Sequence, residues 1–403
     1  MRPLPYRMMI SSFLLLAWAS HVCAQSPVID GVLDASFYGP PISVQDTPTA
    51  FGDATNGHTR VAIAGSELDA AYARISDGAL FLFLAGNLET AGQGVDFPGG
   101  SRNRLDIFID SIEGGQSSLR GDNVDVDANG LNRMGHLDPS NDGLKFDTGI
   151  AHDFFLTFNN YTVVQDFGPG YGYKEIWRGQ LWYASLPTGG SGTGLVLGTA
   201  ADTFPGSYAN EFTLSQGVRL GFRNSNKGGV TSTNDPSPSA ADAPNVTTGL
   251  ELVIPIALIA GTNGDLKSEI SITAFVTSSD HGFLSNQTLG PMGQPSGFYG
   301  NLGEPRVFDF SQSYAPGAQY CSVANPYRSS RLMFPISVRA DGSVSNRWIA
   351  EVNATYVLQR NTNLVDGVWT NVGGIVTATA STVSGVDTNT SFSSAYYRAV
   401  RQP

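Results

Sequence analysis

The chain has 403 residues, with 23 Lys and Arg against 35 Asp and Glu and a formal net charge of −12. That acidity argues against nucleic acid as a partner, because phosphate recognition needs clustered Lys and Arg, and it disfavours anionic membrane surfaces. With 47 Gly, 22 Pro and only 14% charged residues, the composition predicts many strands joined by turns and not a helical bundle.

Residues 1–24, MRPLPYRMMISSFLLLAWASHVCA, place Arg2 and Arg7 ahead of an apolar stretch and a small-residue end at Val22, Cys23 and Ala24. This reads as a secretory signal, with an apolar part too short to span a membrane. A lipoprotein signal needs a small residue directly before Cys23, where Val22 stands, so cleavage is expected after Ala24. The predicted destination is extracellular or the cell surface. Removal of the signal leaves 21 basic against 35 acidic side chains, or −14. No later stretch is long and apolar enough to predict a membrane span. Cys321 then stands alone, so no intrachain disulfide is available and the thiol is expected to act as a small buried hydrophobe.

In chain order, SPVIDGVLDASFYG is predicted to dock Ile29, Val32 and Leu33 on a core, with a turn at Asp30 and Gly31. Two apolar runs, 68–75 and 79–89, flank Asp77-Gly78, a strong hairpin signal. Residues 80–84 are apolar on both faces, which predicts a strand in the middle of a sheet. Further strands are expected at 105–110, 153–158, from 161 on, within the aromatic-rich 171–186, and at 217–222 and 270–276. The run 250–259 predicts a strand passing into a short helix near Pro255. Residues 324–330 read as a linker. Beyond it, closely spaced short strands at 333–339, 356–360, 368–372, 375–380 and 396–400 predict a second, small module.

The stretch 104–158 begins and ends in strand-like alternation around a long excursion rich in Asp, Asn and Gly. Asp125, Asp127, Asn129 and Gly130 spell D-x-D-x-N-G, and Asp138, Ser140, Asp142 and Gly143 spell D-x-S-x-D-G. These are the opening ligand positions of a calcium loop with its turn glycine, although neither has the Glu that closes an EF-hand. Two readings stand: a structural Ca²⁺ site, and an Asx-turn-rich surface loop without an ion.

VIDGVLD, the hairpin ELDAAYARISDGALFLFLAGNLE and NRLDIFIDS together resemble the family 9 carbohydrate-binding-module-like and DOMON-like β-sandwiches of secreted bacterial proteins. YVLQRNTNLVDGVWTNVG with YYRAV resembles a small fibronectin-like module. The resemblance implies an all-β protein: a large jelly-roll-like antiparallel β-sandwich over 25–323, a linker over 324–332, and a small β-sandwich module over 333–403. It also implies structural calcium, and sugar binding between aromatic rings. The candidates for the rings are Trp177 and Trp182, with Tyr171, Tyr173 and Tyr183 nearby, since flat rings cover the apolar faces of pyranoses. An unbroken strand would send Trp177 and Trp182 to opposite faces, and a bulge at Gly179 would bring them together.

No G-x-S-x-G elbow and no H-E-x-x-H motif occurs. His136 and His152, with Met134, admit a haem-ligand reading, and a strand entrance is the plainer one. The acidic residues cluster in one loop, where a cation is favoured over a paired acid and base. The sequence therefore predicts a secreted, non-catalytic binding protein that holds a polysaccharide or cell-surface glycan. Its alternative is a calcium-rigidified structural or adhesive surface protein without a small-ligand site.

Overall fold

The computed structural model describes residues 26–52, 65–90, 103–128, 130–136, 143–203, 211–260, 266–293, 300–312, 315, 317–326, 336–350, 354–362, 368–379, 382–389, 392 and 394–402. Its strands are β1 Ser43–Val44, β2 Glu67–Ser76, β3 Ala79–Asn87, β4 Asn103–Asp110, β5 Phe154–Asp166, β6 Tyr173–Ser185, β7 Gly194–Ala201, β8 Phe212–Thr213, β9 Arg219–Phe222 and β10 Gly249–Pro255. They continue with β11 Glu269–Ser278, β12 Leu284–Leu289, β13 Cys321–Ala324, β14 Ser337–Val338, β15 Val344–Ile349, β16 Thr355–Asn361, β17 Thr370–Thr377, β18 Thr382–Asp387 and β19 Tyr396–Arg401. Three short helices complete the set: α1 Ala35–Tyr38, α2 Gly130–Met134 and α3 Ile256–Ile259.

The first sheet runs β1-β2-β3-β10-β9-β8, and the second runs β12-β11-β4-β5-β6-β7, with β13 also paired on β11. Two three-stranded sheets, β14-β15-β18 and β17-β16-β19, lie C-terminal to them. The protein is thus an all-β antiparallel sandwich, the class its composition and turn spacing predict.

Period-2 alternation assigns the faces. In β4, Leu105, Ile107 and Ile109 meet Leu80, Leu82 and Leu84 of β3 in the core between the two large sheets. β3 is buried at every position, as a doubly apolar central strand should be. Asp77 and Gly78 take φ of 49° and 76° at the hairpin turn, and β10 ends at Pro255 directly before α3.

Both outer faces are covered as well. On the first sheet, Ile29, Phe37 and Tyr38 pack on Tyr72, Phe81 and Phe83. On the second, Leu119, Leu131, Met134, Leu144 and Phe146 bury against Phe108, Phe155 and Phe275, together with Phe308 and Phe310. This corrects the reading of the acidic stretch as a surface loop. Apolar side chains at irregular intervals within its polar sequence make it a packed lid.

The N-terminal segment is held by a buried carboxylate. Glu251, in the middle of β10, accepts hydrogen bonds from the Tyr38 hydroxyl at 2.9 Å and from the Asp30 and Gly31 amides at 3.1 and 3.2 Å. Gly31 is required there, with φ of 73° and a site where a Cβ would fall 2.5 Å from the Arg223 amide. Burial raises the Glu251 carboxyl to about 7, against the pull of these donors.

The two small sheets share a core of Trp348, Tyr356, Leu358, Val383 and Ala399. The strands expected at 368–372 and 375–380 are one strand, β17, and β15 and β18 are additions that their Ser, Asn and Gly content did not signal. The expected linker begins where β13 ends, and residues 327–335 lie outside the described set, as does the expected signal segment.

Tyr38→Phe should lower the unfolding free energy by about 1–2 kcal/mol, seen as a lower urea midpoint at unchanged slope. Because the folded value of Glu251 lies above the ordinary 4.5, its contribution is complete below about 4.5 and is lost as pH rises through about 7. Glu251→Gln should flatten that stretch of the profile.

Candidate functional site

The outer face of the second sheet changes character along the strands. Strand pairing sets Ala184, Phe155 and Phe108 abreast across β6, β5 and β4, and this apolar row lies under the lid. The next row reads Val196, Trp182, Thr157 and Asp106 across β7, β6, β5 and β4. After it come Thr199, Gln180, Asn159, Arg104 and Thr277, the last from β11. The face therefore passes from hydrocarbon to a mixed row of ring and polar groups, and then to amides, hydroxyls and a guanidinium.

A buried ion cluster marks the lid's border at Asp106. His281, in the turn between β11 and β12, sets Nδ1 3.0 Å from Asp106 Oδ2 and Nε2 3.1 Å from Asp127 Oδ2, and all three side chains are fully buried. Thr277 donates its hydroxyl to Asp106 Oδ2 at 2.6 Å, and the Leu131 amide donates to Asp127 Oδ1 at 3.1 Å. Burial alone would lower the imidazole, but the two carboxylates outweigh it and hold it at about 9, so the ring is an imidazolium. Burial likewise pushes Asp127 upward, and its contacts with His281 outweigh that and keep the carboxyl below its ordinary value.

This cluster bears on the expected calcium loop. Asp127 gives one oxygen to His281 and the other to Leu131, whereas Asp125 is exposed. Gly130 leaves room for the imidazole, since a Cβ there would fall 2.2 Å from His281 Cδ2. As placed, Asp127 and Gly130 accommodate the His281 imidazolium. Asn129, Asp138, Ser140 and Asp142 lie outside the described residues. Among the described residues no set of three or more His, Cys, Asp or Glu side chains is arranged to hold a metal ion.

The expected aromatic clamp is not assembled. Trp177 is 3% exposed and stacks on Phe222 at 5.7 Å in the inter-sheet core. Tyr183 is also core, stacked on Phe154 at 5.9 Å, with its hydroxyl donating to the Leu258 carbonyl. Trp182 points the other way, half-buried on the outer face, with the Arg104 guanidinium 5.0 Å from its ring centre. The bulge in β6 falls between Leu181 and Trp182 and not at Gly179, so alternation keeps the two tryptophans apart. Tyr171 and Tyr173 are 62% and 65% exposed at the β5–β6 turn. Along β6, Tyr173 lies about 30 Å from Trp182.

His152 is buried between Phe108 and Phe146, with Nε2 3.0 Å from the Thr273 hydroxyl, and burial lowers it to about 3. It is a neutral core residue, and Met134 is core with it. Cys321 is buried in β13, and burial raises its thiol to about 12.

Arg104, Thr157, Asn159 and Gln180 were not singled out from sequence. Their signal was the polar half of strands whose apolar half drew attention. Comparison with protein-family models, curated proteins and solved structures finds no match.

The His281 tie gives a pH signature. Its folded value lies above 6.5, so its contribution is complete below about 6.5 and is lost as pH rises through about 9. The wild type should exceed His281→Asn by on the order of 3 kcal/mol at pH 6, and the gap should close by pH 10, in urea titrations across that range.

Proposed function

We propose that this is a secreted, non-catalytic binding protein that takes a glycan on the outer face of the second large sheet, at Trp182. The supporting observation is the two-row lattice beside the lid, in which one half-buried indole is surrounded by Thr157, Asn159, Gln180, Thr199 and Arg104. A flat ring beside fixed amides, hydroxyls and a guanidinium matches a pyranose, which has an apolar face and a rim of hydroxyls. The net charge of −12 favours a neutral glycan over a polyanionic one.

Two buried, shifted ionisable groups serve internal ties. His281 joins the lid to β4, and Glu251 joins the N-terminal segment to β10. Secretion and the glycan class rest on the leader-like N-terminus and on the resemblance to secreted carbohydrate-binding sandwiches.

Trp182→Ala should weaken glycan binding at least tenfold in calorimetry on the purified chain, while Trp177→Phe leaves affinity intact and lowers the melting temperature. If Trp182→Ala bound as the wild type does, Trp182 would not be the contact.

A further inference from the structure

The stack of Arg104 on Trp182 spans a strand. Arg104 sits on β4 and Trp182 on β6, with β5 between them, so the guanidinium reaches its place 5.0 Å from the indole by crossing over β5. The residues of β5 on that face, opposite Trp182 and Arg104, are Thr157 and Asn159. The stack is therefore a roof and these two side chains are the floor. Arg104 Nε donates to the Ser279 carbonyl at 2.7 Å, which anchors one side of the roof.

The polar atoms around this roof and floor are unpaired. Thr157 Oγ1, Asn159 Oδ1, Asp106 Oδ1 and Arg104 Nη1 are all buried and make no hydrogen bond. Thr157 and Asp106 are fully buried, and Asn159 is 6% exposed. Each such group carries a desolvation cost, and four on adjacent strand positions are more than folding alone accounts for. Between them they offer one cationic donor, two acceptors and a hydroxyl that can do either.

We propose, resting on the glycan reading above, that Thr157 and Asn159 are the hydrogen-bonding floor of the site and, with Arg104 of the roof, recognise adjacent hydroxyl groups of a neutral sugar. On binding, the guanidinium slides off the indole, the sugar's apolar face takes its place on Trp182, and the hydroxyls donate to Asn159 Oδ1 and Asp106 Oδ1 and accept from Arg104 Nη1. The roof is thus a gate, closed by a cation on a ring and opened by a ligand offering the same ring a comparable contact. A sugar carboxylate set against Asp106 and Asn159 Oδ1 would meet acceptors it cannot satisfy, so neutral sugars are preferred over uronates.

The test uses the full chain, an array of neutral gluco-, manno-, galacto- and xylo-oligosaccharides with uronate-containing counterparts, and calorimetry with the best neutral binder. Thr157→Val and Asn159→Leu remove unpaired polar atoms, so each should melt at or above the wild-type temperature and bind about tenfold more weakly. Wild-type affinity in both variants, with binding lost in Trp182→Ala, would overturn the floor and leave the aromatic contact standing. Binding of uronates in preference to neutral sugars, or a melting temperature several degrees lower in both floor variants, would also overturn it. A wild-type chain that binds no glycan on the array would overturn both readings.

Discussion

The arrangement of the large sandwich depends on one buried charge, the His281 imidazolium held between Asp106 of β4 and Asp127 of the lid. Backbone bridges at Gln116–His152 and Asn123–Ser191 tie the lid's margins, while its apolar packing on Phe108, Phe155 and Phe275 is non-directional and by itself would tolerate a shift along the strands. An imidazolium with a carboxylate at each nitrogen does not tolerate it, because sliding the lid would leave a bare charge in a dry interior. Together with those bridges, the cluster fixes where the lid stops. In doing so it decides which rows of the outer face are core and which remain half-open.

That stopping point matters because the same strands do two jobs. β4, β5 and β6 put Phe108, Phe155 and Ala184 under the lid, then Arg104, Thr157, Asn159 and Trp182 one or two residue pairs further on. Alternation guarantees that all of these point outward, while Ile107, Leu156 and Leu181 point into the inter-sheet core. The proposed ligand face, built on paired strands of the second sheet, is rigid by construction. Its positions are set by backbone pairing and not by loops. The stack of Arg104 on Trp182 is the adjustable part of this frame, since its contacts are those a ring-shaped ligand can replace.

Much of the fold was legible in the sequence because local rules and tertiary packing agree. Asp77-Gly78 between apolar runs gives the β2–β3 hairpin, the doubly apolar run 80–84 is a central strand, and Pro255 ends β10 at the start of α3. Trp182 follows Trp177 by five positions, and alternation alone predicts the opposite faces observed. What stayed hidden shares a cause. Asp127 and Gly130 match a calcium loop residue for residue, and their contact with His281, about 150 positions away in sequence, is encoded by no local pattern. The lid was equally hidden, since Leu119, Leu131, Met134 and Leu144 follow no period of 2 or 3.6. Aromatic residues also drew the search for a ligand site, although four of the five candidates lie in the core or at a distant turn.

The central claim, that an imidazole charged at neutral pH ties lid to sheet, is most directly read from the ring nitrogens of His281 by NMR at pH 7.5. Both nitrogens should be protonated, with the imidazolium signature persisting past pH 8 and lost near pH 9. A neutral ring at pH 7.5, with one bare nitrogen, would contradict the account.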